Sequence, residues 1–429
     1  MWSQFPQMRT NISIPPNGYK NAIFLILTLI LAILIVLHYI HDNSSKINAG
    51  ISGPLHGGNN KSSSALQHDK VNGIGMRRVG NKCNMFSGKW VPYPKGPYYT
   101  NNTRCYITDG QNCMKFGRPD TEFMKWRWRP DDCELPLFDA AQFMELVRGK
   151  SMAFVGDSVA RNQAQSLLCL LANVATAVEK PYAKYPKSRR WFYPEYNFTL
   201  ALLMTTHLVK ALGVSSSSMN LELYLDEVDE EWASPVEDFD YVLISSGHWF
   251  SRPLMYYEKG KFIGCNTCSE EAVRVQGKYL GYRKVFRTAF RMFLDSQKFK
   301  GTVILRTITP THFEKEDSEG RGNCVRTRPY RRDEVKLDWN IWQYYLIQVE
   351  EFWAAKREAE KIGKKFELLD ITEAMSPRPD GHPNHYGHVL EERFMLYSDC
   401  LHWCLPGPID MWNELLIQIM MRKEGQDVI

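Results

Sequence analysis

Apolar positions along this chain follow three spacings in turn. Residues 22–40, AIFLILTLILAILIVLHYI, carry no acidic or basic side chain apart from His38. Nineteen residues at about 1.5 Å each reach roughly 28 Å, the depth of a bilayer core. Arg9 and Lys20 precede the run and no acid does, which predicts a membrane anchor with residues 1–21 cytosolic and everything beyond 41 lumenal. A cleaved signal peptide fits less well, because the stretch is long and no small-x-small site follows it closely. Residues 41–82 are rich in Ser, Asn, Gly, His and Lys; such a segment buries too little to fold and reads as a flexible stem. Residues 83–139 hold four cysteines, Trp90, Tyr98, Tyr99, Trp126, Trp128 and many Pro and Gly, the pattern of a disulfide-stapled, loop-rich unit.

From residue 140 to 429 short apolar runs alternate with longer stretches of helical spacing. Ser151–Val155, Leu200–Thr205, Leu221–Leu225, Tyr241–Ser245, Thr302–Arg306 and Phe366–Ile371 read as strands. Ala164–Val174, Tyr282–Leu294, Trp339–Lys361 and Pro408–Met421 read as helices. Strands alternating with helices predict an α/β sandwich around a mostly parallel sheet.

Composition narrows the classes. With 429 residues, 44% apolar and 13% aromatic, the chain can bury a large core. A formal charge of +5 without a long basic stripe excludes a nucleic-acid partner, and Lys187, Arg189 and Arg190 read as a solvated loop face. All ten cysteines lie beyond residue 40, and an even number in an oxidising lumen reads as disulfides. Cys265-Asn-Thr-Cys268 has no second such pair to complete a zinc site, so no metal is implied. Sequons at Asn43, Asn60, Asn101 and Asn197 agree with lumenal exposure.

Two short motifs carry chemistry. Gly156-Asp157-Ser158 stands where a strand ends and a helix begins, which puts the Ser158 hydroxyl at the carboxyl edge of a sheet and beside free N–H groups. Its structural alternative is a plain helix cap. In Asp399-Cys400-Leu401-His402 the spacing of three brings a carboxylate to an imidazole, so that Asp399 holds His402 in the tautomer that accepts the Ser158 proton. The alternative there is a surface turn.

The chain resembles the plant trichome birefringence-like proteins. The resemblance rests on 156–162 (GDSVARN), 399–402 (DCLH), 117–120 (GRPD), 126–136 (WRWRPDDCELP), 246–250 (SGHWF), 306–313 (RTITPTHF) and 379–383 (PDGHP), in order over about residues 80–425. It implies a GDSL/SGNH-hydrolase-like α/β/α fold with a cysteine-rich amino-terminal domain, and polysaccharide O-acetyltransferase activity in the Golgi, as a single-pass type II protein. Details of 83–139 look most like the members that acetylate xyloglucan, with mannan-acetylating members near by. The resemblance carries the nucleophile to Ser158 and the acid–base pair to Asp399 and His402. It also implies the disulfides Cys83–Cys133, Cys105–Cys169, Cys113–Cys404 and Cys324–Cys400, leaving Cys265–Cys268 as a short loop.

The tetrahedral intermediates of acyl transfer need N–H donors. The Ser158 and Gly247 amides are the oxyanion candidates. The third donor of SGNH enzymes, an Asn, is absent, since His248 and Trp249 follow Gly247; Arg161 and Asn162, one turn after Ser158, are alternatives. Arg161, Asn162, His248 and Trp249 are the expected substrate contacts, with Trp249 and Phe250 able to stack on sugars or to fill the core. Asp380 and His382 form a rival pair. His207, His248 and His312 read as structural or substrate-contact residues. No bound cofactor is expected, but an acetyl donor is required, acetyl-CoA or another carrier. The implied partners are a cell-wall polysaccharide, the Golgi membrane and a protein that delivers the donor. An acetyl-esterase and a non-catalytic polysaccharide-binding protein are the competing functions.

Overall fold

Seven strands form the central sheet of the computed structural model, which describes residues 67–71, 74–78, 80, 83–100, 102–182, 186–213, 221–266, 271–314, 322–392 and 398–424. They are β1 (Ser151–Gly156), β2 (Val178–Lys180), β3 (Arg189–Tyr193), β4 (Phe198–Met204), β5 (Tyr241–Ser245), β6 (Thr302–Arg306) and β7 (Lys365–Leu369). Their order is β7-β6-β5-β1-β4-β3-β2. The five strands from β7 to β4 are parallel, and β3 and β2 extend the edge antiparallel. After β1 the chain adds strands on one side and then returns to build the other. That reversal opens a crevice beyond the carboxyl ends of β1 and β5, where open α/β sheets place their sites.

Continuous apolar strands bury both faces of the sheet. In β1, Met152 and Phe154 enter one core and Ala153 and Val155 the other. β4 and β5 alternate in the same way, with Leu200 and Leu202 against Ala201 and Leu203, and Leu243 against Val242 and Ile244. Helices α1 (Ala140–Leu146), α2 (Ser158–Leu171) and α6 (Asp410–Glu424) cover the first face. Helices α3 (Glu230–Val236), α4 (Glu271–Asp295) and α5 (Trp339–Lys361) cover the second. On α4 the spacing of Tyr282, Val285, Phe286, Ala289, Phe290 and Phe293 is the i, i+3, i+4 stripe of a helix seated on a sheet.

Several elements differ from expectation. α2 begins at Ser158, six residues before the apolar run of Ala164, because Asp157 caps it and accepts the Val159 N–H. Leu221–Val228 is a strand, but it pairs with Val209–Leu212 and Leu254–Glu258 in a separate sheet. β2 and β3 escaped notice because β2 is exposed throughout and carries no apolar pattern. Within the segment read as a stem, Gln67–Val71 and Ile74–Arg78 pair antiparallel, and the sequence between them, Asn72-Gly73, is a strong hairpin signal.

Residues 83–139 do not keep a core of their own. Met85, Tyr99, Trp128, Leu135 and Phe138 join the core under α2 and α6. The strands Gly88–Pro92 and Trp126–Pro130 pair, and the Trp90 indole N–H donates to the Ala374 carbonyl. Disulfides join Cys83 to Cys133, Cys105 to Cys169, Cys113 to Cys404 and Cys324 to Cys400. Cys265 is also disulfide-bonded. Cys268, the apolar run 22–40, and Asn43, Asn60 and Asn101 lie outside the described residues. Among the described residues no helix is long and apolar enough to cross a membrane. Asn197 is exposed in the turn between β3 and β4.

Candidate active site

Gly156 ends β1 within touching distance of β5. A side chain there would place its Cβ 1.7 Å from the Ser245 carbonyl oxygen, so only glycine allows the two strand ends to close together. The chain then turns through Asp157 into α2, with Ser158 as its first residue. The first-turn N–H groups of a helix have no helical acceptor; the Ser158 amide is one of them.

Two hundred and forty-four residues later the chain returns to this point. His402 Nε2 lies 2.7 Å from Ser158 Oγ, and its Nδ1 lies 2.8 Å from Asp399 Oδ2. Asp399 Oδ1 accepts the N–H groups of Leu401 and His402 at 3.1 and 2.9 Å. Burial raises the Asp399 carboxyl, but the His402 charge and these hydrogen bonds outweigh it and hold the pKa at about 2. Nδ1–H donates to the carboxylate, which leaves Nε2 with the lone pair that the Ser158 hydroxyl requires. The side chains of His402 and Asp399 are 17% and 26% exposed, so the triad is open to a ligand.

The turn that presents His402 is fixed from four sides. Asn162 is fully buried; its Nδ2 donates to the Trp403 carbonyl and its Oδ1 accepts the Trp403 N–H, at 3.1 and 2.8 Å. Its amide is thus spent on the backbone beside His402, and the expected sugar contact is corrected to a structural one. His382 donates Nδ1–H to the His402 carbonyl at 2.6 Å and stacks on Trp403. Asp380 binds Arg378 through both oxygens. The rival pair is therefore divided between two supporting tasks. Arg118, from the amino-terminal segment, donates to the carbonyls of Asp380 and His382 at 2.6 and 2.8 Å. The bridges at Cys400 and Cys404 flank the turn itself.

Histidines near the site are driven neutral by burial: His207 and His312 to about 4 and His248 to about 3, the last also by the charges of Arg306 and His402. His312 donates Nε2–H to the Ser376 carbonyl, and its Nδ1 lies 2.7 Å from His382 Nε2. With both rings' N–H groups given to carbonyls, that contact is a hydrogen bond only when the pair holds a further proton, which burial opposes. Among the described residues His248 Nε2 is buried without a partner. Trp249 is half-buried under the Arg252 guanidinium, while Phe250 is fully buried against Tyr282 and belongs to the core.

Gly247 follows β5 where Ile308 and Tyr282 leave no room for a Cβ. Its N–H lies on the side of the Asp157 carboxylate and helps to hold it ionised, without a close hydrogen bond; burial is the larger influence and raises the Asp157 pKa. Arg161 is half-buried one turn beyond Ser158; among the described residues its Nε has no hydrogen-bond partner, while Asp157 and Asp399 attract its charge. Sequence reasoning missed Arg306, which is 3% exposed, stacks on Trp412, and among the described residues leaves Nε and Nη1 without partners. Its signal was available, as an arginine closing an apolar strand. Among the described residues no cluster of side chains is arranged for a metal ion.

Comparison with known proteins agrees with this architecture. Residues 135–419 match the GDSL/SGNH-like acyl-esterase family found in Pmr5 and Cas1p, and residues 81–134 match the PMR5 amino-terminal domain. The chain is 49% identical to protein trichome birefringence-like 19 of Arabidopsis thaliana over 352 residues, 81% of this chain and 82% of that protein. It is 42% identical to xyloglucan O-acetyltransferase 4 of Populus trichocarpa over 350 residues, 80% and 82% of the two chains. Against xyloglucan O-acetyltransferase 1 of Arabidopsis thaliana the identity is 39% over 348 residues, 79% and 80%. A strand-end serine joined to a DxxH turn, behind a PMR5-type amino-terminal domain, places the chain in the GDSL/SGNH-like acyl-esterase family found in Pmr5 and Cas1p, among its trichome birefringence-like members.

Proposed function

We propose that this chain is a polysaccharide O-acetyltransferase that acetylates xyloglucan in the Golgi lumen, anchored by residues 22–40, with Ser158, His402 and Asp399 as its catalytic triad. The observation that carries the chemistry is the 2.7 Å contact between His402 Nε2 and Ser158 Oγ. The relatives named as xyloglucan O-acetyltransferases support the substrate.

In this reading Ser158 Oγ attacks the acetyl carbonyl as its proton passes to His402 Nε2. The oxyanion is met by the Ser158 amide at the α2 terminus; the Gly247 amide, which faces Asp157, joins it by turning toward Ser158. The donor's leaving group departs with the proton from His402, which leaves acetyl-serine. A sugar hydroxyl then attacks that ester, His402 takes its proton, and Ser158 Oγ recovers the proton as the acetylated sugar leaves. Asp399, ionised down to about pH 2, stabilises the imidazolium in both halves.

The test is incubation of the full-length protein with an acetyl donor and xyloglucan, glucomannan or xylan oligosaccharides, read by mass spectrometry. A gain of one acetyl unit on xyloglucan, lost in Ser158→Ala, is the expected result. Deacetylation alone would make the protein an esterase; transfer that survives Ser158→Ala would remove the triad from the reaction.

A further inference from the structure

A cavity of about 1070 Å³ lies apart from Ser158, between the paired strands Gly88–Pro92 and Trp126–Pro130, the segment 328–337, the start of α5 and the residues Thr372–Pro377 that follow β7. Ser158 follows the carboxyl end of β1, and β1 and β7 run parallel, so both places belong to one edge of the central sheet. Two imidazole rings stand between them. His312 donates to the Ser376 carbonyl in the cavity wall, and His382 beside it donates to the His402 carbonyl.

Aromatic rings dominate the lining: Trp90, Trp126, Trp128, Tyr330, Trp342 and Tyr345. Several are held in place by the fold. The Trp90 indole N–H donates to the Ala374 carbonyl, and its ring meets Trp128 edge-to-face at 5.8 Å. Trp342 stacks on Tyr345 with centroids 5.3 Å apart, and the Tyr345 hydroxyl donates to Asp370. Trp342 is nevertheless 40% exposed, and Trp339, one turn earlier on α5, is 66% exposed. Large rings kept open to water mark a binding surface. The charged side chains of the lining, Lys89, Asp131, Arg328, Arg331, Arg332 and Glu373, are all exposed. Arg328 binds Glu334 through both oxygens, and Asp131 accepts from the Ser87 hydroxyl. Charges left in water need no counter-ion, so this lining does not call for an ionic ligand. Fixed flat rings with polar groups at the rim suit a ligand with C–H faces and hydroxyl edges, which is the chemistry of a pyranose ring.

We propose that this cavity is a second glycan site, which holds an uncharged stretch of polysaccharide by stacking its sugar rings on Trp126, Trp342 and Tyr345 while another stretch of the same chain lies at Ser158. Binding at the site requires no turnover; its part in transfer rests on the acyl-transfer reading above. A chain long enough to reach both places is held twice, so the protein favours polymeric acceptors over short ones.

The experiment measures, by isothermal titration calorimetry, binding of xyloglucan polymer and of a short xyloglucan oligosaccharide to the full-length protein, with Ser158→Ala as background so that no turnover intervenes. Trp342→Ala removes an exposed ring and is expected to leave the melting temperature unchanged. It should weaken polymer binding by about tenfold or more and oligosaccharide binding by less than about twofold. Trp342→Phe should recover part of the loss, Trp126→Ala should act in the same direction, and added salt should leave polymer affinity unchanged. With Ser158 intact, Trp342→Ala should raise KM for the polymer. Unchanged polymer affinity in Trp342→Ala, an equal loss for both ligands, or binding that salt abolishes overturns the proposal. Polymer binding that depends on Trp342, in a protein that transfers acetyl to no acceptor, sustains the site and overturns the acyl-transfer reading instead.

Discussion

At the scale of single residues, the proposed roles of Ser158, His402 and Asp399 follow from their environments. Asp399 is held ionised by two backbone N–H groups and by His402, so it orients the ring and does not itself take up a proton at working pH. Asp399→Asn keeps the shape but removes the charge and permits the wrong imidazole tautomer. The expected loss is about 10⁴-fold in kcat, by the behaviour of other Ser-His-Asp sites, with thermal stability close to wild type. A loss of less than tenfold in kcat would show that His402 is oriented by something else, and His382 at its carbonyl is the first candidate. Asn162 shows why residue type alone misleads. A polar side chain one turn from Ser158 reads as a substrate contact, yet both ends of its amide are consumed by Trp403.

Among elements, the decisive unit is the passage from β1 through Gly156 and Asp157 into α2. The Ser245 carbonyl occupies the space a side chain at Gly156 would need. Gly156→Ala must therefore push β1 and β5 apart, and an expected cost of about 3 kcal/mol or more follows from overpacking a closed interior. Urea denaturation measures it; a midpoint unchanged from wild type would show that the strand ends adjust freely. A second unit joins the amino-terminal segment to α6. The Tyr98 hydroxyl donates to Glu414 and the Tyr99 hydroxyl to Asp410. Burial lifts Glu414 from 4.5 to about 7 and Asp410 from 3.8 to about 6. A carboxyl raised on folding stabilises fully below its ordinary pKa, and that contribution fades as pH rises through the folded value. Wild-type stability should therefore lose the Glu414 contribution between pH 4.5 and about 7. Glu414→Gln should flatten that decline in a melting-temperature series, and parallel curves for the two proteins would contradict it.

For the molecule as a whole, the turn that carries His402 is a long-range construction. Cys113–Cys404 spans 291 residues and Cys324–Cys400 spans 76. Loops of those lengths correspond to about 5.7 and about 4.5 kcal/mol of unfolded-state entropy in the chain model. Because the bridges end beside His402, graded reduction is expected to abolish acetyl transfer before tryptophan fluorescence reports unfolding. A fully reduced protein that remains active would refute this. The amino-terminal segment contributes in the same sense, since Arg118 grips the carbonyls of the turn that carries His382. Removing that segment would take away a support of the His402 turn and part of the core together.

How far the sequence reached follows from the range of the forces involved. Local signals sufficed for Tyr241–Ser245, Thr302–Arg306 and Trp339–Lys361, whose ends match the spacing of their apolar residues. They also sufficed to single out Ser158 at a strand end and the carboxylate–imidazole spacing of 399–402. What they could not decide was partnership. Leu221–Leu225 has the composition of any strand, and its sheet depends on which distant edge pairs with it. β2 lacks an apolar face and exists because β3 offers it hydrogen bonds. Asn162 and Arg118 acquire their tasks only when segments more than two hundred residues apart close around one turn, and His382 when the chain comes back to it at His402. Chain chemistry alone thus determined which groups are able to react and which stretches are able to be buried. Only the tertiary structure decided which of those groups meet, because contact between distant residues is paid for by the burial of the whole sheet and its two layers of helices.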